Sequence, residues 1–104
     1  MPVTYVIEFH VKPAERARFL SLLGDVLSAM AHEANYRNAM LHVSPDDPLH
    51  FMLYETWASH EDVLNVQLQR PYRNAWHAAL PEILEQPREI SIWRPFGEAH
   101  RDGA

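Results

Sequence analysis

Alternation of apolar and polar residues near the amino terminus predicts a first β-strand over residues 4–11. Successive side chains of a strand point to opposite faces, so every second residue shares a face. One face is wholly apolar and consists of Tyr5, Ile7, Phe9 and Val11. The other face mixes one apolar residue with two titratable ones: Val6, Glu8 and His10. We expect this second face to lie in water or to have its polar groups paired.

A helical period of apolar residues follows this strand. Pro13 and Glu15 stand where the first turn of a helix favours a proline and an acidic residue. Beyond them, apolar residues recur at steps of three and four, which is the spacing of one helix face. The stripe consists of Leu20, Leu23, Leu27 and Met30, widened by Phe19 and Val26. The pattern predicts a helix that ends within residues 33–36.

Two further strands are predicted on either side of a turn. Residues 38–44 alternate as a strand, and residues 44–48 combine Pro and Asp, which favour turns. Residues 49–57 are rich in apolar side chains. We therefore expect a β-hairpin whose second strand ends with Glu55 and Trp57 side by side on one face.

The last part of the chain predicts two short helices and a strand. Ser59 suits the N-cap of the first helix, because its side chain can accept a hydrogen bond from the backbone. Pro71 can open the second helix, and Pro81 lies inside its apolar stripe, which predicts a kink or a break. Residues 89–96 are expected to form the last strand, and residues 97–104 a loose tail.

Composition narrows the classes of function. The formal net charge is −5 and no basic run is present, which argues against nucleic acid or an anionic membrane as a partner. The chain has no cysteine, so disulfides, thiolate metal sites and a cysteine nucleophile are excluded. No apolar run approaches the roughly 20 residues of a membrane span, and the amino terminus lacks the basic segment of a signal peptide. We expect a cytoplasmic protein with one domain over residues 1–104.

The predicted order of elements indicates the fold. Strand, helix, strand, strand, helix and strand is the βαββαβ order of the ferredoxin-like α+β plan, with an antiparallel sheet. Helices cover one face of such a sheet and leave the other face to be covered. Large apolar residues occur on both faces, for example Phe9 against Val6 and Leu53 against Met52. We therefore expect a homodimer whose sheets pack face to face.

Short segments between Val3 and Phe96 carry a resemblance to a known family. They are Val11-Lys12-Pro13, Leu41-His42, Pro45-Asp46-Asp47-Pro48, Phe51 through Trp57, Glu61-Asp62-Val63-Leu64, and Pro71 before the last helix. In this order and spacing they resemble the antibiotic biosynthesis monooxygenase family of dimeric α+β barrels. The resemblance implies the ferredoxin-like fold and the homodimer already expected from the pattern.

The family resemblance also implies several activities. Members include cofactor-independent oxygenases of phenolic or quinol-type aromatics, haem-degrading enzymes, and enzymes that isomerise or degrade small molecules. This chain has Gln67 where many members have a helix His, and Ala39 where many have a Tyr. Haem-degrading relatives carry Asn and Trp where this chain has Ile7 and Gln67, although His77 matches their His ligand. The resemblance therefore disfavours haem degradation.

Three residues are candidates for catalysis. A cofactor-free oxygenase needs a base to form an electron-rich phenolate, and histidine is the side chain whose pKa suits that task near pH 7. His77 is the first candidate; its alternative is a partly exposed helix histidine. His42 is the second; its alternative is a buried histidine bonded to Glu55. Trp57 resembles the family's pocket tryptophan and could stack on a flat substrate, or it could fill the core.

Further residues are candidates for binding a substrate. They are Tyr54, Glu55, Gln67, Tyr72, Arg73 and Trp76. The aromatic ones could line a pocket, although aromatic residues at such spacing more often form core. Gln67 and Arg73 could bind a polar substituent or lie on a solvated helix face. Glu8 and His10 could form a catalytic pair, or a structural polar pair if they face a partner subunit.

The histidines do not show the spacing of a metal site. None of the seven lies in an i, i+4 helical pair or an H-x-H strand pair, so a site would need His10, His42 and His77 to converge. With three glycines, a dinucleotide fingerprint cannot be built, and no phosphate-binding loop is present. We therefore expect no metal and no cofactor.

The leading hypothesis is a cofactor-independent monooxygenase that oxidises a small phenolic, quinol or polyketide-like aromatic with O₂. Two alternatives remain. One is an isomerase or a degradative enzyme that moves a proton at a carbonyl of a small metabolite. The other is a dimer that binds a ligand without converting it, which the replaced family positions Ala39 and Gln67 keep open.

Overall fold

The computed structural model describes residues 1–97 of the chain. It contains seven helices and strands within that range. They are β1 (Val3–His10), α1 (Arg16–Met30), β2 (Tyr36–Val43), β3 (His50–Trp57), α2 (His60–Asn65), α3 (Asn74–Ile83) and β4 (Glu89–Trp93). Short 3₁₀ turns lie before α1 and between α2 and α3. The predicted tail falls almost wholly on residues 98–104, which lie outside the described part.

The strands form one antiparallel sheet in the order β2-β3-β1-β4. Tyr5 stands opposite Glu55 and Ile7 opposite Leu53, so these four side chains share the face that packs on the helices. The prediction of a ferredoxin-like α+β fold is confirmed, as is the hairpin of β2 and β3. No helix within residues 1–97 is long and apolar enough to cross a membrane.

The core lies between this helix-side face and the helices. Phe9, Phe19 and Trp76 form an aromatic cluster, with ring centroids 5.1 Å apart for Phe9–Phe19 and 5.7 Å apart for Phe9–Trp76. Helix α1 buries Phe19, Leu23, Val26 and Met30. Leu20 and Leu27 are only half-buried, so the predicted stripe was placed slightly off the true buried face.

The first helix ends earlier than predicted. Its last residue is Met30, and turns over residues 31–35 lead into β2. Strand β2 begins at Tyr36 because Tyr36 pairs with Trp57 at the end of β3. Pairing with a neighbouring strand therefore removes from the helix a segment that local pattern allowed to remain helical.

The end of the chain differs from the prediction at two points. Helix α3 is not broken at Pro81 and continues to Ile83, so the proline lies in its last turn. Strand β4 ends at Trp93 rather than at Phe96, because Trp93 pairs with Thr4 and the partner strand β1 begins at Val3. A strand cannot extend past the hydrogen-bonding groups of its neighbour.

The sheet face turned away from the helices carries both polar pairs and apolar side chains. His50 Nε2 lies 2.9 Å from Glu8 Oε1, and the rings of His10 and His50 stack with centroids 4.3 Å apart. The sequence suggested a pair of Glu8 and His10. In the structure Glu8 pairs with His50 instead. Met40 and Tyr54 on the same face are 61% and 40% exposed.

Candidate functional site

An apolar cavity of about 200 Å³ lies between the sheet and the helices. Its apolar walls include Ile7, Leu53, Ile90, Leu23, Met30 and Val63. Its polar groups are Tyr5, Glu55, His60, Arg73, His77 and Arg88. Concave, mostly apolar cavities with a few convergent polar groups are the usual form of small-molecule sites. This cavity is therefore the candidate site.

The cavity is open at the edge of the sheet. Strand β4 is an edge strand, and its residues Ile90 and Ile92 line the cavity while remaining 49% and 59% exposed. A wider depression shares Leu68, His77 and Arg88 with the cavity. A ligand could therefore enter past His77 and Arg88 without any change in the sheet.

Glu55 is the only carboxylate among the described residues that line this cavity. It sits on β3 and is 7% exposed, and one of its oxygens accepts a hydrogen bond of 3.1 Å from Trp57 Nε1. Burial raises the pKa of Glu55 above its ordinary value, while the Trp57 hydrogen bond and the charges of Arg73 and Arg88 oppose that rise. The net shift of this pKa is upward, so the Glu55 carboxyl group takes up a proton more readily than an exposed glutamate does.

Arg73 lies beside that carboxyl group and is 6% exposed. It ends the 3₁₀ turn that Pro71 opens before α3. Its guanidinium carbon lies 5.4 Å from the ring centroid of Tyr72 and 5.9 Å from that of Trp57. Two aromatic rings therefore hold this buried cation in place.

His77 lies on α3, one turn after Arg73, and lines the cavity and the outer depression. Burial lowers the pKa of His77, and the charges of Arg88 and Arg73 lower it further. A pKa below 6.5 keeps the imidazole neutral near pH 7, so that it can accept a proton. Of the predicted residues, His77 is thus in a position and a charge state that suit a general base.

A second polar pair lies on another part of the wall. Tyr5 Oη and His60 Nδ1 are 2.6 Å apart and share a hydrogen bond between β1 and the start of α2. Burial raises the pKa of Tyr5, and the charge of Glu55 adds to that rise. Tyr5 therefore keeps its proton and can act as a hydrogen-bond donor near pH 7.

Comparison with known proteins identifies the family. Residues 2–79 match the family described as antibiotic biosynthesis monooxygenase. The chain belongs to this family. A protein of Pestalotiopsis microspora named "Putative monooxygenase GME11364" is 31% identical over 94 residues, which cover 88% of this chain and 77% of that protein.

Solved structures of other proteins have the same fold as this chain. Rv0793 from Mycobacterium tuberculosis superposes with a TM-score of 0.86 at 24% identity, covering 96% of this chain and 100% of that one. SnoaB, a cofactor-independent oxygenase from Streptomyces nogalater, superposes with a TM-score of 0.79 at 21% identity, covering 93% of this chain and 95% of that one.

Four of the nine candidate site residues that the sequence predicted line the cavity. They are Glu55, Arg73, Trp76 and His77. Trp76 belongs at the same time to the aromatic core, where it is 3% exposed. The expected solvated helix face for Arg73 is wrong, because this side chain is buried.

Two predicted residues lie on the other face of the sheet. His42 pairs with Met52, and Tyr54 lies two residues further along β3, so both point away from the helices. Neither lines the cavity. The alternative in which His42 bonds to Glu55 is also wrong, because the two residues lie on opposite faces and Glu55 accepts from Trp57.

Three predicted residues lie behind the cavity wall. Trp57 is fully buried and does not line the cavity, so it offers no ring face to a ligand there. Gln67 is also buried, and its Nε2 donates to Asp62 Oδ2 over 3.1 Å. Tyr72 stacks on the guanidinium of Arg73. All three stabilise cavity residues or nearby turns from outside.

Sequence reasoning missed three polar residues of the cavity. Arg88 lies in the loop before β4 and lines the cavity. A loop has no periodic pattern of apolar residues, so the sequence does not predict which way its side chains point. Tyr5 was assigned to a wholly apolar face. Its hydroxyl group was a signal, because a buried tyrosine hydroxyl usually needs a hydrogen-bond partner. His60 is that partner, and its place directly after the N-cap Ser59 did not by itself indicate a site.

The described residues offer no metal cluster. Within residues 1–97, no group of three or more His, Cys, Asp or Glu side chains is arranged to hold a metal ion. His10 and His42 lie on the open face of the sheet, and His77 lies on the helix side. The convergence of these three histidines that a metal site would need is therefore not formed.

Proposed function

We propose that this protein is a cofactor-independent monooxygenase that oxidises a small phenolic, quinol or polyketide-like aromatic with O₂. The observation that carries the proposal is His77, whose pKa is lowered by burial and by two arginines, at the wall of an apolar cavity. Membership of the antibiotic biosynthesis monooxygenase family supports it.

In the proposed reaction, His77 accepts the proton of a bound phenol. The resulting phenolate gives one electron to O₂, and the phenoxyl radical and superoxide combine to form a C–O bond. His77 then returns its proton to the peroxide, and loss of the hydrogen on the same ring carbon breaks the O–O bond. A quinone and one water form, so that one oxygen atom of O₂ enters the product and the other leaves as water. The nearby cations Arg73 and Arg88 stabilise the phenolate in a water-poor site.

The apolar walls have a role in this scheme. Ile7, Leu53 and Met30 enclose the ring of the substrate and exclude water from it. Because charges interact more strongly where water is excluded, the two arginines lower the energy of the phenolate more than they would at the surface. The edge beside Ile90 and Ile92 leaves a route by which O₂ can reach the ring.

Oxygen uptake tests the proposal. Purified protein mixed with simple hydroquinones and naphthols should consume O₂ faster than the same mixture with heat-denatured protein, and it should release one water per quinone. His77→Ala should lower kcat/KM by about 10²–10⁴-fold, the usual contribution of a general base. His32→Ala is the matched control, because this histidine is exposed and does not line the cavity. Full activity in His77→Ala would remove His77 as the base.

A second reaction class is favoured by one observation. The pKa of Glu55 is raised by burial, so its carboxyl group could return a proton to a carbon or oxygen atom after His77 has removed one. That pair would suit an isomerase acting beside a carbonyl. Turnover without O₂ uptake, with exchange of a substrate C–H for deuterium in D₂O, would favour the isomerase over the oxygenase.

The homodimer belongs to the same proposal. Large apolar side chains are exposed on the sheet face away from the helices, including Met40 and Trp93, each 61% exposed. A second sheet packed on this face would bury them. The cavity lies on the opposite face of the sheet, so each subunit would hold its own site.

A further inference from the structure

We infer that the cavity binds an aromatic acid, with Arg73 and Arg88 holding its carboxylate. The inference rests on the proposed function, because it names the class of substrate at the same site. Four features of the cavity support it: an unpartnered Nε on a buried arginine, a second cation beside it, an excess of positive charge, and apolar walls of single-ring size.

The unpartnered group is Arg73 Nε. The side chain of Arg73 is more than nine-tenths buried, yet this nitrogen meets no hydrogen-bond partner within residues 1–97. A buried donor without a partner costs about 1–3 kcal/mol, and more when the group is charged. An arginine cannot escape the cost by losing its proton. A ligand that accepts hydrogen bonds at this point would remove the cost.

The rings packed against Arg73 do not satisfy its Nε donor. The guanidinium group lies over the rings of Tyr72 and Trp57, at 5.4 and 5.9 Å from their centroids. Rings over its faces do not use the N–H groups, which lie in the plane of the guanidinium. The two rings therefore pack against the cation and leave at least Nε for an acceptor such as a carboxylate.

Arg88 supplies a second cation at the cavity wall. It directly precedes β4, lines both the cavity and the outer depression, and is half-buried. The ion pairs within the described residues involve other cations, namely Arg18, His50 and Arg70. Two arginines thus converge on one enclosed space without a salt bridge to either of them.

The charge of the cavity favours a monovalent anion. Glu55 is the one carboxyl group on the described wall, and one of its oxygens accepts a hydrogen bond from Trp57 Nε1. When Glu55 is ionised, the two arginines leave a net charge of about +1, and when it is protonated they leave about +2. One carboxylate neutralises the first state. A buried charge is tolerated when it is paired and hydrogen-bonded, so the ligand and the arginines stabilise each other.

The size of the cavity limits the rest of the ligand. A volume of about 200 Å³ is similar to the roughly 150 Å³ of an engineered apolar cavity that binds benzene. One aromatic ring with a small substituent therefore fits, and Ile7, Leu23 and Leu53 offer it apolar contact. The class is a single-ring aromatic acid, and a hydroxybenzoate also carries the phenol that His77 would deprotonate.

Calorimetry with two matched ligands tests the inference. Salicylate and its neutral amide, salicylamide, have nearly the same size and the same phenol group. Binding is measured in anaerobic buffer at pH 7.5, so that turnover does not contribute. We expect salicylate to bind about tenfold tighter or more, as a charge-assisted bidentate contact predicts. Equal affinity for the two ligands would overturn the inference.

Variants separate the two arginines from other cations. Arg73→Met and Arg88→Met should each abolish the preference for salicylate while leaving binding of salicylamide within a few-fold. Arg70→Met is the control, because Arg70 is exposed and pairs with Glu33 over 3.0 Å, and it should keep the preference. If Arg73→Met does not fold, as judged by circular dichroism, Arg88→Met carries the test. A preference that survives in Arg88→Met would overturn the assignment of that residue.

Two other results distinguish this inference from the proposed function. Oxygen uptake with neutral phenols, together with no preference for salicylate, would overturn the aromatic-acid inference and leave the oxygenase proposal intact. Tighter binding of phenyl phosphate than of benzoate would assign the arginines to a phosphate ester and overturn the carboxylate. Absence of binding by salicylate and by benzoate would overturn the aromatic-acid inference, and oxygen uptake with hydroquinones and naphthols would still test the oxygenase proposal by itself.

Discussion

Trp57 donates its indole hydrogen to the carboxyl group of Glu55 over 3.1 Å, and both side chains lie on the helix-side face of β3. The sequence suggested that both could touch a substrate. In the structure only Glu55 reaches the cavity, and Trp57 holds it from behind. The tryptophan thereby holds the one carboxyl group on the described wall, and its hydrogen bond opposes the rise in pKa that burial causes.

Replacing Trp57 should expose this relationship. Trp57→Phe keeps an aromatic ring but removes the indole donor, so the pKa of Glu55 should rise above its already raised value. The free energy of unfolding should fall by about 1–3 kcal/mol, because a fully buried side chain and its hydrogen bond are lost. Carbon-13 NMR titration of the Glu55 carboxyl group and urea denaturation measure the two effects. Phe96→Leu, at an aromatic residue that is 97% exposed, should change neither.

The pH dependence of activity should report His77. Its pKa in the folded protein lies below 6.5, because burial and the charges of Arg88 and Arg73 disfavour the imidazolium form. kcat/KM should therefore be constant near pH 7 and should fall only below pH 6.5. An acidic limb with a midpoint above 6.5 would contradict this assignment.

Stability should depend on pH through the same residue. The unfolded chain binds a proton at His77 near pH 6.5, and the folded protein binds it only at lower pH. The stabilising contribution is complete above pH 6.5 and is lost as the pH falls through the folded pKa. In His77→Gln, urea unfolding between pH 7 and pH 5 should therefore show a smaller loss of stability than in the unchanged protein. Equal losses would place the titrating group elsewhere.

The N-cap of α2 gives a local test of the fold. Ser59 Oγ accepts a hydrogen bond of 3.1 Å from the backbone nitrogen of Asp62. Ser59→Ala should lower the free energy of unfolding by about 1 kcal/mol, the usual cost of losing such a cap. Ser28→Ala, at an exposed position within α1, should have no destabilising effect, since alanine favours helix interiors. Thermal unfolding of the three proteins compares them directly.

The proposed homodimer makes a prediction about the open face of the sheet. Tyr54 lies on a central strand of that face and is 40% exposed. Tyr54→Asp would place a charge between two apolar sheets, which should weaken association by roughly thirtyfold or more. Light scattering after size-exclusion chromatography should show twice the mass of the chain before the change and a lower mass after it. Ala17→Asp, exposed on α1, should remain dimeric. A monomer in the unchanged protein would overturn the homodimer.

The alternation and the helical period of apolar residues predicted well those features that depend on one strand or helix alone. The alternation in β1 assigned Tyr5, Ile7 and Phe9 to the buried face, and the structure confirms it. The errors lie at the ends of the predicted helices and strands. Strand β4 stops at Trp93 because β1 provides no further partner, and α1 stops at Met30 because Tyr36 pairs with Trp57. Such limits depend on a neighbouring strand that local pattern does not contain.

The amino-acid sequence by itself determined the order of the elements, the apolar face of each strand and the family, because these follow from periodicity and from short segments in a fixed order. It also placed His77, Glu55 and Arg73 among the candidates by their chemistry. Only the tertiary structure decided which of them meet. The pleat of the sheet turned His42 and Tyr54 to the other face. The 3₁₀ turn before α3, α3 itself and the loop before β4 brought Arg73, His77 and Arg88 to one cavity. Convergence of this kind depends on distances between elements, which no pattern along one element records.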